Sequence, residues 1–503
     1  MNLVEQLEKN AREYPEKAAV IFRGCRMNYR ELNDVVNRFA GSLLEMGLKK
    51  GDRVGLLLPR NPQLLVSFLA TVKAGGIVVP INYELTHKDI RASLGTVSPL
   101  CLIVNTSFLD TARKSMPPDF QIPIIEIGDV VGERLLWNAM LAKEKGSDPC
   151  LDINDNDIVY LNYTSGSTGN PKGPVTTHSN IYWNTADAVD RLQLTPDDVH
   201  LCLFAPFAHP HEILARPLYL GGTMVLVDSI YPKSIAEAIA DHKVTCMMGL
   251  APMYENLLEV AERYSYDLSS LRVPESGGMY THPDLIERFQ KKVGVSIVPV
   301  WGSTETTGIA LANRPGRCEQ PGSVGKPCAS YEVKLVDEDG VELPAGEVGE
   351  MVFKGPAVVK NYYENTISNQ ECFRDDWYYS GDLAKKDEEN NFYFMGRKNG
   401  MMKVAGLKVY PEEIEQALMD HPDIKEVAVI PAKHKLRGEI PKAIIVTTNG
   451  QGLMDKDIRV FCRERLAHYK LPRIVELRKS LPKTGSGKTD KKALRSMYES
   501  IGG

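Results

Sequence analysis

DIVYLNYTSGSTGNPKG, residues 157–173, decides how this chain is read. The apolar-rich run DIVYLNY, 157–163, predicts a buried strand. It opens into TSGSTGNPKG, 164–173, which packs three glycines, four hydroxyl residues and one lysine into ten positions. A new helix is expected beyond it, from about His178 to Leu194. A strand that opens into such a loop is a phosphate cradle. Gly166, Gly169 and Gly173 let the backbone turn tightly and come close to an anion. Thr164, Ser165, Ser167 and Thr168 supply hydroxyl donors, and Lys172 supplies a charged one. The competing reading is a flexible surface turn, but Gly/Ser linkers rarely end in Pro-Lys-Gly directly before a helix. The spacing is not that of the Walker loop, G-x-x-x-x-G-K-[ST].

Outward from this loop the chain alternates strand and helix patterns. Before it, RVGLLLP (53–59), GGIVVPIN (75–82), CLIVN (101–105) and PIIEI (123–127) read as strands. Leu32, Val36, Phe39 and Leu43 mark one face of a helix. After it, HLCLFAP, GTMVLVD and VTCMMGL repeat the grammar with helices between them. This predicts parallel α/β layers, two sheets of one large domain. From about residue 321 the style changes: VKLVDEDGVELP (333–344) carries a DG turn between strands, and GEVGEMVFKG adds short β character. A third style begins at GRKNGMMKV, 396–404. Pro411 opens a helix, KEVAVIPA and AIIVTTN read as strands, and Ile458, Phe461, Cys462, Arg465, Leu466 and Tyr469 mark a further helix. The expected fold class is therefore α/β: a large N-terminal domain with a small β subdomain over 1–397, and a smaller, mobile α+β domain over 398–503, hinged near 398–400.

Composition bounds the function. A chain of 503 residues is too long for one core. Its 25% charged and 43% hydrophobic residues are ordinary for a globular protein. A net charge of −5 argues against nucleic acid as the main partner, so a phosphate-bearing ligand must be met by local donors and metal. The nine cysteines are scattered with no C-x-x-C pair, which predicts neither a zinc site nor a disulfide framework. MNLVEQLEKNAREYPEK has no apolar signal region, and no window holds 18 consecutive apolar residues; a cytoplasmic location is expected.

Several constellations carry chemistry. WGSTETTG, 301–308, follows the apolar run VSIVPV and reads as a strand end delivering Trp301, Thr304 and Glu305 into a crevice. Glu305 is a hard oxygen ligand suited to Mg²⁺, Thr304 can donate to a phosphate, and Trp301 can stack on a base or wall a pocket. An equal alternative is a helix start, with Thr304 and Thr307 as caps and Glu305 as a first-turn acid. In ESGGMYTHPDL, 275–285, Gly277 and Gly278 allow backbone to approach a flat ligand such as adenine, although a simple strand-to-helix turn also explains them. YYSGD, 378–382, ends in Asp382, whose two acceptor oxygens fit vicinal ribose hydroxyls, although it also reads as an ordinary turn aspartate. PFAHPHE, 206–212, invites a zinc reading, but His209, His211 and Glu212 stand too close together without i,i+4 spacing. LPKTGSGKTDKKALR, 481–495, looks like a Walker loop until Pro482 is found where its first glycine belongs.

Taken in order, these strings resemble the adenylate-forming superfamily, in its branch of acyl-CoA synthetases. The resemblance runs from the loop at 164 to Lys488. It implies a phosphate loop that holds the β- and γ-phosphates of ATP, and an aromatic-Gly-x-Thr-Glu motif for AMP and Mg²⁺, here Trp301, Gly302, Ser303, Thr304 and Glu305. It implies Gly277, Gly278 and Met279 against adenine, Asp382 on the ribose, Arg397 on ribose or phosphate, and Lys488 as the lysine that enters the active site. His209 matches a histidine near the acyl group and the thioester tunnel, and Ala208 stands where a bulkier aromatic is common. KVAGLKVYPEEIE, 403–415, resembles the segment lining the CoA tunnel, with Lys403 and Gly406. Gly400 stands where the family commonly has Asp or Lys at the hinge, which puts the timing of domain rotation in question. The resemblance thus implies an AMP-forming acid–thiol ligase using ATP, Mg²⁺ and CoA. A carrier-protein-loading adenylation enzyme and a non-catalytic nucleotide-binding regulator are the alternatives. Amino-acid-activating members place an aspartate in the segment matching LFAPFAHPH; this chain has none there. The expected acyl-lining residues are Phe207, Ala208, Gly249, Met279, Trp301, Gly302, Gly308 and Ile309. They include no lysine or arginine, which implies an apolar monocarboxylate: medium-chain, alicyclic or aromatic.

Overall fold

The computed structural model describes residues 2–118, 121–128, 149, 151–162, 172–207, 210–316, 320–404, 407–434, 437–448, 453–484 and 488–499. The chain divides into two compact units, Met1–Glu332 with Phe353–Tyr378, and Val333–Val352 with Tyr379–Gly503.

The first unit contains the two sheets expected from the alternating pattern. One has six strands in the order Ile124–Ile127, Cys101–Asn105, Arg53–Leu57, Ile77–Pro80, Ile158–Leu161, Val175–Thr177. All its pairs are parallel except the last, where Tyr160 faces Thr176 in an antiparallel register. The second has nine strands, and its central strands Thr223–Leu226, Val199–Cys202, Cys246–Gly249, Val273–Ser276 and Val298–Ser303 run parallel. Strands buried on both faces read as continuous apolar runs, which is why these segments were legible. The N-terminal strand Ala18–Phe22 departs from a simple sequential reading. It joins the second sheet beside Thr223–Leu226, with Val20 opposite Met224, and not the sheet formed by the segments that follow it.

Local chemistry places the helices. Tyr29–Glu45 begins at Asn28, whose side chain accepts from the Glu31 amide while Glu31 reaches back to the Asn28 amide, a reciprocal cap. Leu32, Val36, Phe39 and Leu43 are fully buried along one face of that helix. Replacing Phe39 by Ala would remove about 3–5 kcal/mol. The helix after the phosphate loop runs His178–Arg191, shorter than expected, and Gln193 in the left-handed region at φ +53° ends it. No helix among the described residues is long and apolar enough to cross a membrane.

In the second unit, Leu407–Val409, Met402–Val404, Gly438–Thr447 and Ile424–His434 form a sheet, with Ile474–Leu477 added parallel to Gly438–Thr447. Alternate residues feed two cores: Val429, Ala443 and Ile445 pack with Ile414, Leu418, Ile458 and Cys462, and Ala428, Ile430 and Ile444 with Leu481 and Leu494. Pro411 opens the helix Pro411–Met419 at its first turn. The later helix stops at Arg463, short of Tyr469. Its apolar stripe persists because the Leu466 amide turns back onto the Cys462 carbonyl and Leu466 joins the same core. The DG turn is present: Asp337 accepts from the amides of Asp339 and Val341, and Gly340 lies at φ +84°. Its second arm is a single bridge between Val336 and Glu342.

Candidate active site

In the first unit the chemistry gathers at one end of the nine-stranded sheet. Val298–Ser303 and Gly308–Ala312 are antiparallel, and residues 304–307 form the turn that joins them. The helix-start alternative is thereby corrected: Thr304 and Thr307 cap no helix. A reciprocal pair does form, between Ser303 and Thr306, and it closes the turn. Thr307 takes a left-handed φ of +59° and donates to the Ala357 carbonyl. Gly308 is required at φ +134°, because a Cβ there would lie 2.5 Å from Glu212 Oε1 and 2.7 Å from Asn184 Oδ1. Glu305 is partly exposed at the tip of the turn. The Tyr362 hydroxyl donates to Glu305 Oε1 at 2.8 Å. Burial, reinforced by the Glu305 charge, pushes the Tyr362 phenol well above its ordinary value, so it remains a donor. Lys172 Nζ lies 5.2 Å from the centroid of the same Tyr362 ring. The phosphate-loop lysine and the candidate metal carboxylate, far apart in sequence, therefore meet across one phenol that sequence reasoning missed.

Trp301 is buried and stacks on Phe353, with centroids 4.7 Å apart. Gly277 extends the strand Val273–Ser276, its amide donating to the Gly249 carbonyl at 3.2 Å. A Cβ on Gly277 would meet Met248 at 2.7 Å, and Gly278 sits at φ +73° with Met279 beside it at the strand end. These glycines serve strand packing and the turn. They also keep the backbone at the strand end bare, as approach by a flat ligand requires. Phe207 packs edge-on against Tyr83 at 5.1 Å, and Tyr83 stacks on Phe108 at 4.5 Å, an aromatic group of which only Phe207 was anticipated. Ile309 is buried, and its carbonyl accepts from Asn184. Thr164, Ser165, Gly166, Ser167, Thr168, Gly169, Ala208, His209 and Gly406 lie outside the described residues.

Beneath the turn is a buried polar network. Arg216 donates to both Glu275 oxygens at 2.9 and 2.8 Å, and its other amino group is 3.1 Å from Glu212. Burial opposes its charge, but Glu212 and Glu275 outweigh burial and raise its pKa. His211 Nδ1 is 2.8 Å from the Tyr160 hydroxyl, and the two rings stack. Burial, and then the Arg216 charge, lowers its pKa to about 3. PFAHPHE thus contributes a neutral core histidine and one arm of an ion-pair triad. Among the described residues no group of three or more His, Cys, Asp and Glu side chains is arranged to hold a metal. Mg²⁺ needs no such cage, since one carboxylate with substrate phosphates and water suffices, and the half-exposed Glu305 fits that demand.

The second unit brings three further candidates together. Asp382 and Arg397 are opposite each other on antiparallel strands, and Arg397 Nε is 2.9 Å from Asp382 Oδ1. Lys488 stands beside Thr489, which bridges Lys483. Lys488 is exposed, yet protein atoms surround its ammonium closely enough to desolvate it. That crowding, and then the Arg397 charge, lowers its pKa, with Asp382 opposing. Two cations beside one carboxylate suit an anionic ligand. Glu350 was missed. It accepts from the Gly381 amide at 2.9 Å and from Lys398 at 2.8 Å, which holds the S-G-D turn. Lys403 lies on Met402–Val404 with an exposed side chain, its amide bonded to Glu439. Residues Lys398–Gly400 form one 3₁₀ turn, and a Cβ on Gly400 would meet nothing closer than Arg397 Cβ at 3.8 Å.

Lys172 and Glu305 in one α/β unit, and a lysine–arginine–aspartate cluster in an α+β unit, stand in a chain of a known class: it is an adenylate-forming ligase, of the acid–thiol type. The chain belongs to the AMP-binding enzyme family, whose model matches residues 7–363 and whose C-terminal domain model matches 413–488. It is 32% identical over 496 residues to a feruloyl-CoA synthase from Amycolatopsis, covering 97% of this chain and 98% of that protein. It is 31% identical to a long-chain-fatty-acid–CoA ligase of Bacillus subtilis, covering 96% and 92%. The crystal structure of the anthranilate CoA ligase AuaEII in complex with anthranoyl-AMP superposes with a TM-score of 0.91 at 30% identity, covering 99% of this chain and 97% of that one.

Proposed function

We propose that this protein joins an apolar monocarboxylic acid, aromatic, alicyclic or medium-chain, to CoA through an acyl-AMP intermediate. The carboxylate attacks the α-phosphorus of ATP and pyrophosphate leaves; the CoA thiol then attacks the acyl carbonyl and AMP leaves. The observation that carries this reading is the meeting of Lys172 and Glu305 across Tyr362. Glu305 would hold Mg²⁺, which supplies charge neutralisation on the phosphates. Asp382 and Arg397 take the ribose, and Lys488 offsets charge that builds between carboxylate and α-phosphate. Gly277, Gly278 and Met279 border the adenine, and His209 and Lys403 with Gly406 serve the thioester step. The C-terminal domain, 398–503, rotates between the two steps about 398–400.

The acid class rests on charge. Arg216, a buried cation paired with the Glu212 that faces Gly308, is matched by both Glu212 and Glu275 and offers no counter-charge to a second carboxylate. Phe207 with Tyr83 and Phe108 supplies aromatic surface. Such pockets separate homologous acids by only about 1–3 kcal/mol per methylene, so several acids should be accepted. Pyrophosphate release with ATP and Mg²⁺ across an acid panel, with and without CoA, tests this. CoA-dependent turnover on one apolar class is expected. Adenylation indifferent to CoA would indicate a carrier-protein loader, and silence across the panel a regulator.

A further inference from the structure

The segment 356–363 ties the two halves of the candidate MgATP site to one another. Its Val359 amide donates to the Glu305 carbonyl at 2.9 Å, and its Ala357 carbonyl accepts from Thr307 at 2.7 Å. Its other end grips the exit of the phosphate loop: the Tyr363 amide donates to the Gly173 carbonyl at 2.8 Å, and the Val175 amide to the Asn361 carbonyl at 3.1 Å. Asn180 donates to the carbonyls of Pro356 and Val358, anchoring the segment to the helix that follows the loop. Tyr362 stands between these attachments. Asn369 clamps its backbone on both sides, accepting from the Tyr362 amide at 2.6 Å and donating to the Tyr362 carbonyl at 3.1 Å. The ring is wedged edge-on against Phe373, 5.4 Å away, so the phenol has little freedom.

We propose that Tyr362 is the positioning residue that couples metal and phosphate binding: its hydroxyl fixes the Glu305 carboxylate while its ring face fixes the reach of Lys172. The coupling follows from geometry. The phenol occupies Glu305 Oε1 at 2.8 Å, which leaves the second carboxylate oxygen to bind a cation. The ammonium of Lys172, 5.2 Å from the ring centroid, is within cation–π range. A single rigid side chain thereby fixes the spacing between a cationic donor and a metal ligand, which is the spacing a polyphosphate with its metal must match. This rests on the reading of Glu305 as the Mg²⁺ ligand and Lys172 as a phosphate donor.

The test is calorimetric ATP binding to the full chain at graded Mg²⁺ without any acid, together with Mn²⁺ binding in the presence of ATP followed by electron paramagnetic resonance. Tyr362→Phe keeps the ring and removes the hydroxyl. It should raise the Mg²⁺ and Mn²⁺ midpoints about tenfold, the effect of one hydrogen bond to a charged group, and leave metal-free ATP affinity within about twofold. Tyr362→Leu should weaken metal-free ATP binding as well. Asn369→Ala, which loosens the clamp without touching Glu305, should shift the metal midpoint in the same direction by less, and so gives an answer even where a Tyr362 variant folds poorly. Wild-type metal midpoints in both Tyr362→Phe and Asn369→Ala overturn the proposal. A Glu305→Gln variant with wild-type Mg²⁺ dependence overturns instead the assignment of Glu305 beneath it.

Discussion

Glu305 in the first unit sits on a tight turn and Lys488 in the second beside a bridged pair, and the two surroundings are built differently. The Glu305 turn joins two strands of a large sheet. It is bonded to 356–363 through Val359 and Thr307, backed by the Arg216 triad through Gly308, and closed by Ser303 with Thr306. Next to Lys488, Lys483 bridges Thr489, the Thr484 amide donates to the Lys488 carbonyl and the Asp490 amide to the Pro482 carbonyl. The first is tied to a separate segment by backbone bonds, whereas beside the second Lys483 pairs with Glu426 and Leu481 packs on Ala428 and Ile430.

The sharpest way to break this comparison is Glu305→Gln. Loss of the metal carboxylate should lower pyrophosphate release about a thousandfold, measured as initial rates at saturating acid; retention of more than a tenth of the rate would remove Glu305 from the metal site.

Acid should then unravel the rigid unit. His178, His200 and His211 are buried there, with pKa values lowered by burial to about 4, about 3 and about 3. Their folded values lie below the unfolded value near 6.5, so the unfolded chain binds more protons, and the stability present above pH 6.5 is lost as pH falls. Each site contributes about 1.4 kcal/mol per pH unit between roughly pH 6 and 4. Denaturant melts at pH 7, 6 and 5 should show a steep decline, and His200→Gln should flatten it by about one histidine's share. An unchanged slope in that variant would contradict the burial argument.

Lys488→Ala should cost about a hundredfold in acyl-AMP formation and largely spare thioester formation from supplied acyl-AMP; equal damage to both steps would make Lys488 structural. Gly308→Ala forces a Cβ onto Glu212 and Asn184 in a left-handed conformation. It should destabilise the fold by about 2 kcal/mol or more, read as a lower denaturation midpoint. The smallest effect belongs to Gly400→Asp. With open space around Gly400, stability should change by less than about 0.5 kcal/mol. The ratio of the two half-reaction rates should change if 398–400 is the hinge, and an identical ratio would place the hinge elsewhere.

Much of this was legible in one dimension. Parallel strands buried on both faces leave runs such as CLIVN, and amphipathic helices leave Leu32, Val36, Phe39 and Leu43 at helical spacing. The misses have a common cause. The Tyr469 end of one helix was overextended because burial, not helicity, carried the periodicity. Residues 304–307 were open between a strand end at a crevice and a helix start because a local string does not say which strand returns beside it.

The sequence by itself determined the class of enzyme, an AMP-forming acid–thiol ligase, through the order of motifs that contain Lys172, Glu305, Asp382, Arg397 and Lys488. Only the tertiary structure decided that His211 is a neutral core residue, that Arg216 is matched by two carboxylates, and that Tyr362 and Glu350 hold the turns carrying Glu305 and Asp382. Those are long-range pairings: Tyr362 and Glu305 are separated by 57 positions and Arg216 and Glu275 by 59. A tyrosine or a glutamate carries no local signature of the partner it will meet, because hydrogen-bond and ionic energies depend on distances that exist only once the chain has folded.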